Sequence, residues 1–208
     1  MTARRHGSNA RLGTDEECGR YGMLHSVGNT GHDDRWLLLA YRVPREPTRL
    51  RATVWRRIKA LGAIYVQNSV AALPDSTASE RAFRALRAEI SELGGTAQVL
   101  RASALAGGGD LVDMYNSARD EEYEEILDKC QDFLAEIRHE TETRHFTYAE
   151  LEENDEDLNK LRRWFDKVAD RDTLGADRRG EASTALTECG TALDEFANAV
   201  YLAEDHSP

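Results

Sequence analysis

No apolar run in this chain of 208 residues approaches the roughly 20 residues that cross a bilayer, so no membrane-spanning helix is expected. Two arginines near the N-terminus have no apolar stretch behind them, which argues against a secretory signal. Cysteine is scarce. Cys18, Cys130 and Cys189 are far apart, odd in number, and form neither a CxxC pair nor a zinc spacing. A reducing, cytoplasmic setting follows as the expectation. There is no G-x-x-x-x-G-K-[ST] phosphate loop, and Gly107-Gly108-Gly109 alone does not make one. Neither a nucleophile elbow nor a convincing acid/base pair is present, so no catalytic residue, no cofactor and no enzymatic activity are expected. A recognisable helix-turn-helix or basic arm is also missing.

Carboxylates, by contrast, are abundant. The runs Asp120-Glu121-Glu122 and Glu152 to Asp157 suggest a metal, but consecutive helical residues point in different directions and cannot converge on one ion. His139 and His145 are six apart and lack the i, i+4 spacing of a helical metal pair. No metal site is therefore expected. Cys130 and Cys189 fall on apolar stripes and read as core residues.

Hydrophobic residues make up 40% and charged residues 31%, enough for a packed core under a wet surface. The length allows one large domain or two small ones. The net charge of −11 is unevenly spread. Up to residue 104 there are 16 Lys+Arg against 10 Asp+Glu, and after it 11 against 28. An anionic partner would meet the first half. Within it, Arg42, Arg45, Arg49, Arg51, Arg56, Arg57 and Lys59 face Glu46 alone.

The order of elements predicts an α+β chain. Residues 1–35 show no periodicity and are expected to be a flexible tail, with Met23 as an alternative start. Trp36–Arg42 is an apolar run with the character of a central strand. A helix is expected from Pro47 or Thr48 to Leu61. Pro47 would sit in its first turn, Leu50, Val54, Ile58 and Leu61 on its core face, and Gly62 at its stop. On a 100° wheel Arg49, Arg56 and Lys59 share the opposite face within about 80°. Trp55 lies beside Arg51 and Lys59, as a packing lid or as an interface anchor. Ala63–Val66 and Val70–Leu73 flank a tight Asn68-Ser69 turn. A second helix, Thr77–Leu93, stops at Gly94-Gly95, and Thr96–Arg101 is a short strand. Strand, helix, strand, strand, helix, strand is the split βαβ pattern of the ferredoxin-like fold, placed at residues 36–105. The three glycines at 107–109 mark a boundary. An acidic antiparallel three-helix domain is expected at 110–208, with Asp110 capping its first helix and a capping box at Thr147–Glu150. Leu151 to Val168 would carry its second helix on to Gly175, and a third would span Ala176–Leu202.

Several strings in this order resemble the N-terminal domain of the chromate-resistance regulator ChrB. They are Val43-Pro-Arg-Glu-Pro47, Val54-Trp-Arg-Arg57, Leu61-Gly-Ala-Ile-Tyr65, Glu92-Leu-Gly-Gly95 and Ala118-Arg-Asp-Glu-Glu-Tyr123. Family members that regulate chromate-efflux operons usually carry a further C-terminal domain, which is not expected within these residues. Gly62–Val70 is more distantly similar to the small ferredoxin-like CRISPR adaptation subunit and to the core of the phenylacetate-catabolism repressors. In the CRISPR subunit the first strand ends Tyr-Asp, with the aspartate as a proposed metal ligand. Here Tyr41 is followed by Arg42, which repels a cation, so a metal-dependent nuclease is not expected and an anion site is favoured. The resemblance implies a transcription regulator of chromate resistance. It would act as a homodimer and meet DNA or a regulator partner through Arg49, Arg56 and Lys59. The alternative is a non-catalytic oxyanion sensor that holds chromate between Arg42, Arg45 and Arg49.

Overall fold

A computed structural model describes residues 35–205. The tail expected for 1–35 and the alternative start Met23 lie outside the described residues, apart from Arg35, which opens the first strand. The elements run β1 (Arg35–Arg42), α1 (Arg49–Ala60), β2 (Ile64–Gln67), β3 (Val70–Pro74), α2 (Thr77–Glu92) and β4 (Thr96–Ser103). They continue with α3 (Gly108–Thr143), α4 (Tyr148–Ala169) and α5 (Arg179–Asp205). The chain is α+β: four strands form one sheet in the order β2-β3-β1-β4, and every neighbouring pair is antiparallel.

β1 lies inside this sheet, bonded on both sides, as its apolar run predicts. Leu39 pairs with Ala71 on β3 and Val99 on β4. Strand side chains alternate between faces. Leu37 and Leu39 therefore share one face, where Val54 and Ile58 of α1 and Phe83, Leu86 and Ile90 of α2 complete a buried core. Both helices end as their glycines predict. Gly62 takes φ +73°, its N–H donates to Lys59 O (2.9 Å), and that of Ala63 donates to Ile58 O (3.2 Å). This is the Schellman geometry, which needs a residue at positive φ. Gly94 repeats it at φ +77°, and Gly95 N donates to Ile90 O (2.9 Å).

Three local expectations need correction. Pro47 precedes the first turn of α1: Thr48 is the N-cap residue, and the Glu46–Pro47 peptide is cis. Asp110 does not cap α3. Gly107 does, at φ +69°, and Gly108 and Gly109 already belong to the helix, with Asp110 in its first turn. α4 stops at Ala169 rather than reaching Gly175, because Arg171 and Asp172 are taken up by other contacts. The Thr147 cap holds: its hydroxyl accepts from Glu150 N (3.2 Å), and Phe146 and Leu151 pack on the core beneath.

α3 is 36 residues long and serves two cores. Its first turns close the sheet's core, where Tyr115 meets Trp36 edge-on with ring centroids 6.0 Å apart. From Tyr123 to Ile137 it lines a second core with Leu158 and Val168 of α4 and Leu186, Cys189, Leu193, Phe196 and Val200 of α5. Cys130 and Cys189 are buried here and unbridged, and the Cys189 thiol donates to Cys130 O (3.6 Å). No helix among the described residues is long and apolar enough to cross a membrane.

A buried polar hub joins the two cores. Arg119, 3% exposed, donates from Nη1 to Gly62 O (2.8 Å) and from Nη2 to Glu122 (2.9 Å), and lies over the Tyr115 ring at 5.1 Å. Arg171 donates to Ala60 O (3.3 Å) and to the other oxygen of Glu122, and its carbonyl accepts from Tyr115 OH. Two guanidinium groups thus stand at the C-terminal end of α1, on the carbonyls of Ala60 and of Gly62 just beyond it, where the helix dipole favours positive charge. Beside them Asp172 accepts from the backbone N–H of Gly175 and Ala176 (both 3.0 Å) and from Tyr123 OH (3.2 Å), which fixes the α4–α5 turn.

Candidate functional site

The described cations of the first half differ in whether they are ion-paired. One group is neutralised: Arg101 is held by Asp75 (2.8 Å) and Glu80 (2.7 Å), Arg84 by Glu80 (2.8 Å), and Arg57 by Glu89 of α2 (3.3 Å). The two arginines hold the Glu80 carboxyl below its ordinary range, through hydrogen bonds first of all. Arg81 and Arg87 of α2 are exposed with no ion pair among the described residues, and Arg87 donates to Ala97 O (3.2 Å). On and just before α1 stands a further group of six, Arg42, Arg45, Arg49, Arg51, Arg56 and Lys59. All six are exposed, and among the described residues none is ion-paired. Arg56 only bends back to the Ala52 carbonyl (3.4 Å).

Helix geometry explains the division. Val54 and Ile58 are buried and fix the inner face of α1. Arg57 lies on the flank that meets α2, so Glu89 reaches it. Arg49, Arg56 and Lys59 lie roughly opposite the core and are exposed, with no element of the described residues over them. Three candidates therefore share one face of one helix. Arg45 is in the connection before that helix. Arg42 ends β1, and strand alternation puts it on the sheet face opposite Tyr41, away from α1. Its carbonyl is in the tight approach to Gly95, where a Cβ would come within 2.6 Å. Arg42 and the helical cations are thus not drawn together.

Trp55 is 52% exposed. It lines an open depression of about 680 Å³ with Tyr41, Tyr65, Gln67, Asn68 and Ser69. The depression exists because β1, α1 and the β2–β3 hairpin end near one another. Tyr41 and Tyr65 come from strands on either side of β3, and their hydroxyls share a hydrogen bond (3.1 Å). Burial, then the Tyr41 hydroxyl, pushes the Tyr65 phenol well above its ordinary value, so it stays protonated. Ser69 holds φ +65° in the hairpin turn, and its carbonyl accepts from Tyr41 N (2.9 Å). Sequence reasoning found Trp55 but missed Tyr41 and Tyr65, which are 24 residues apart and meet only once β3 lies between them.

The acidic half has its own cavity, about 640 Å³ between α3 and α4, lined by Asp132, Glu136, Glu140, Glu153, Asp157 and neighbours. At its end the ligand atoms of Glu140, His145 and Glu150 lie within 4.8 Å of one another. His145 Nδ1–H donates to Glu140 (2.7 Å), and Glu140 is buried. The residues come from the end of α3, the turn and the start of α4. A turn can bring such groups together where a single helix face cannot, and for that reason the spacing did not reveal them. His139 stands outside this group.

No curated protein and no solved structure matches the chain. A family described as the N-terminal part of protein ChrB matches residues 51–207, which takes in α1 from its third residue, β2, β3, α2, β4 and all three long helices, with β1 and Arg49 just before it. The exposed cationic helix, the aromatic depression and the buried arginine hub all fall within or beside that stretch, and the chain belongs to the ChrB N-terminal family, as a protein associated with chromate resistance.

Proposed function

We propose that this chain is a regulatory binding protein whose α1 face docks on DNA. One observation carries the reading: Arg49, Arg56 and Lys59 are exposed on one helix face with no acidic partner among the described residues, while Arg57 on the flank of the same helix is paired with Glu89. A protein of net charge −11 that leaves one helix face wholly cationic concentrates its positive potential there. Guanidinium and ammonium groups on such a face meet phosphates without reading bases. The sheet unit is, in this reading, ferredoxin-like, supported by the β2-β3-β1-β4 order, and the acidic antiparallel helices form a second domain from residue 110. The working form is a homodimer in the cytoplasm, acting on transcription without catalysis.

An oxyanion such as chromate is the second reading. It needs Arg42, Arg45 and Arg49 to converge, and the strand alternation at Arg42 gives it less support. A regulator protein with an acidic surface is the other partner that a cationic helix would suit.

Fluorescence anisotropy with a promoter-length duplex at several salt concentrations tests the reading. Binding should weaken linearly on a log–log plot. Reversal of Arg49, Arg56 and Lys59 to glutamate should lower the slope by up to about 2.7, roughly 0.9 for each phosphate no longer neutralised. Salt-independent binding, or an unchanged slope in the triple variant, refutes it. Calorimetry with chromate against sulfate at matched ionic strength decides the second reading, since equal or absent heats remove it.

A further inference from the structure

The depression beside α1 has chemistry that a phosphate-only surface does not need. Trp55 presents half of its surface to solvent, and Tyr41 and Tyr65 stand with it around one opening. A large exposed aromatic is costly to leave in water, and Trp55 with two half-buried tyrosines around one opening makes a platform rather than a scattered surface. The hydroxyl–hydroxyl bond ties the two tyrosines together and holds their rings in place. Asn68 and Ser69 supply an amide and a hydroxyl at the rim, which offer both donors and acceptors. Arg51 and Lys59 are one helical turn before and after Trp55, so they bracket it on the same side of α1. Both are exposed and without an acidic partner among the described residues.

We propose that this depression takes an unpaired nucleobase of a single-stranded nucleic acid. Trp55 is the stacking surface, and Arg51 and Lys59 meet the phosphates on either side of the base. The proposal rests on the reading of α1 as a nucleic-acid surface that meets duplex phosphates, and adds a place beside it for an unpaired base. The charge complementarity is specific: the ligand must pair a flat apolar face with anionic links on two sides, as a nucleotide strand does. A closed duplex hides its base faces in the stack, so only an unpaired or extruded base reaches the tryptophan. A volume of about 680 Å³ lies within the range of roughly 300–1,000 Å³ typical of small-ligand sites.

The test is fluorescence anisotropy of the full chain with three probes: labelled oligothymidylate, an abasic strand of equal length, and a duplex. Both single strands carry the same phosphates, so their affinity ratio isolates the base. The wild type should bind the thymidine strand about tenfold more tightly than the abasic strand. Trp55→Ala should bring that ratio to near one, and Trp55→Phe, which keeps a ring, should retain most of it. Equal wild-type affinity for the two strands, or a ratio unmoved by Trp55→Ala, overturns the proposal. In that case salt-dependent duplex binding would leave the reading of α1 standing. Absence of binding to all three probes would remove both. Displacement of the thymidine strand by lower concentrations of an acidic, tyrosine-containing peptide would assign the depression to a protein partner and overturn the proposal as well.

Discussion

Gly62 carries more than a helix stop. Its φ of +73° disfavours any other residue, and a Cβ there would come within 2.6 Å of Arg119 Nη1. Arg119 cannot move aside cheaply, because that same nitrogen donates to the Gly62 carbonyl. Gly62→Ala should therefore destabilise by about 2 kcal/mol or more. Gly190 offers the contrast. It sits within α5, and its Cβ would approach Arg162 Nη2 at 2.9 Å, the free end of an exposed side chain. Gly190→Ala should stabilise by about 0.5 kcal/mol or more, the usual helix preference. Urea midpoints of the two variants should move in opposite directions. Arg119→Ala leaves the Gly62 carbonyl without its donor and Glu122 with Arg171 as its one remaining cation, so a loss of about 3 kcal/mol is expected at unchanged m-value. Tyrosine titration adds a pH dependence. Burial raises the Tyr65 and Tyr123 phenols above their ordinary value, so their contribution is complete below the unfolded value of about 10. It is lost as pH rises past that value, because the unfolded phenols ionise first. Tyr65→Phe cannot ionise and should flatten the fall in urea midpoint as pH rises above about 10. An equally steep fall in the variant would contradict this account.

At the scale of elements, α1 is nearly all legible in the chain. Spacing alone names its core face, its cationic face and its Gly62 stop, because a helix is set by residues three and four apart. The reach of those signals is short, however. A proline fits both the first turn and the residues before it, so the pattern does not fix where Pro47 stands relative to the cap. Arg119 and Arg171 are not singled out by any local pattern in the acidic helical region. Their burial depends on carbonyls 57 and 111 residues away, and no local pattern encodes that. Asp172 escapes notice for the same reason: its partners Gly175 and Ala176 are near, but Tyr123 is 49 residues distant. The cationic face carries an expectation for stability as well as for binding. Arg49, Arg56 and Lys59 bear on no acidic group among the described residues, so their reversal to glutamate should leave the urea midpoint within about 0.5 kcal/mol of wild type. A large loss would mean that these side chains hold the fold, and weaker binding by the triple variant would then carry no information about the surface.

At the scale of the whole molecule, charge and packing divide the labour differently. Charge separates a basic first half from an acidic second half. Packing joins them, because α3 enters both cores and the hub of Arg119, Glu122 and Arg171 ties the end of α1 to the α4–α5 turn. The acidic helices therefore do not cover the cationic helix. They grip its C-terminal end and leave its outer face open to an anion. That open face is the central claim, and amide chemical shifts locate it most directly. Titration of ¹⁵N-labelled protein with a promoter-length duplex should move the amides of Arg49–Ala60 first and furthest, with those of α4 and α5 nearly still. Shifts concentrated on the acidic helices, or none at all at low salt, would contradict the account.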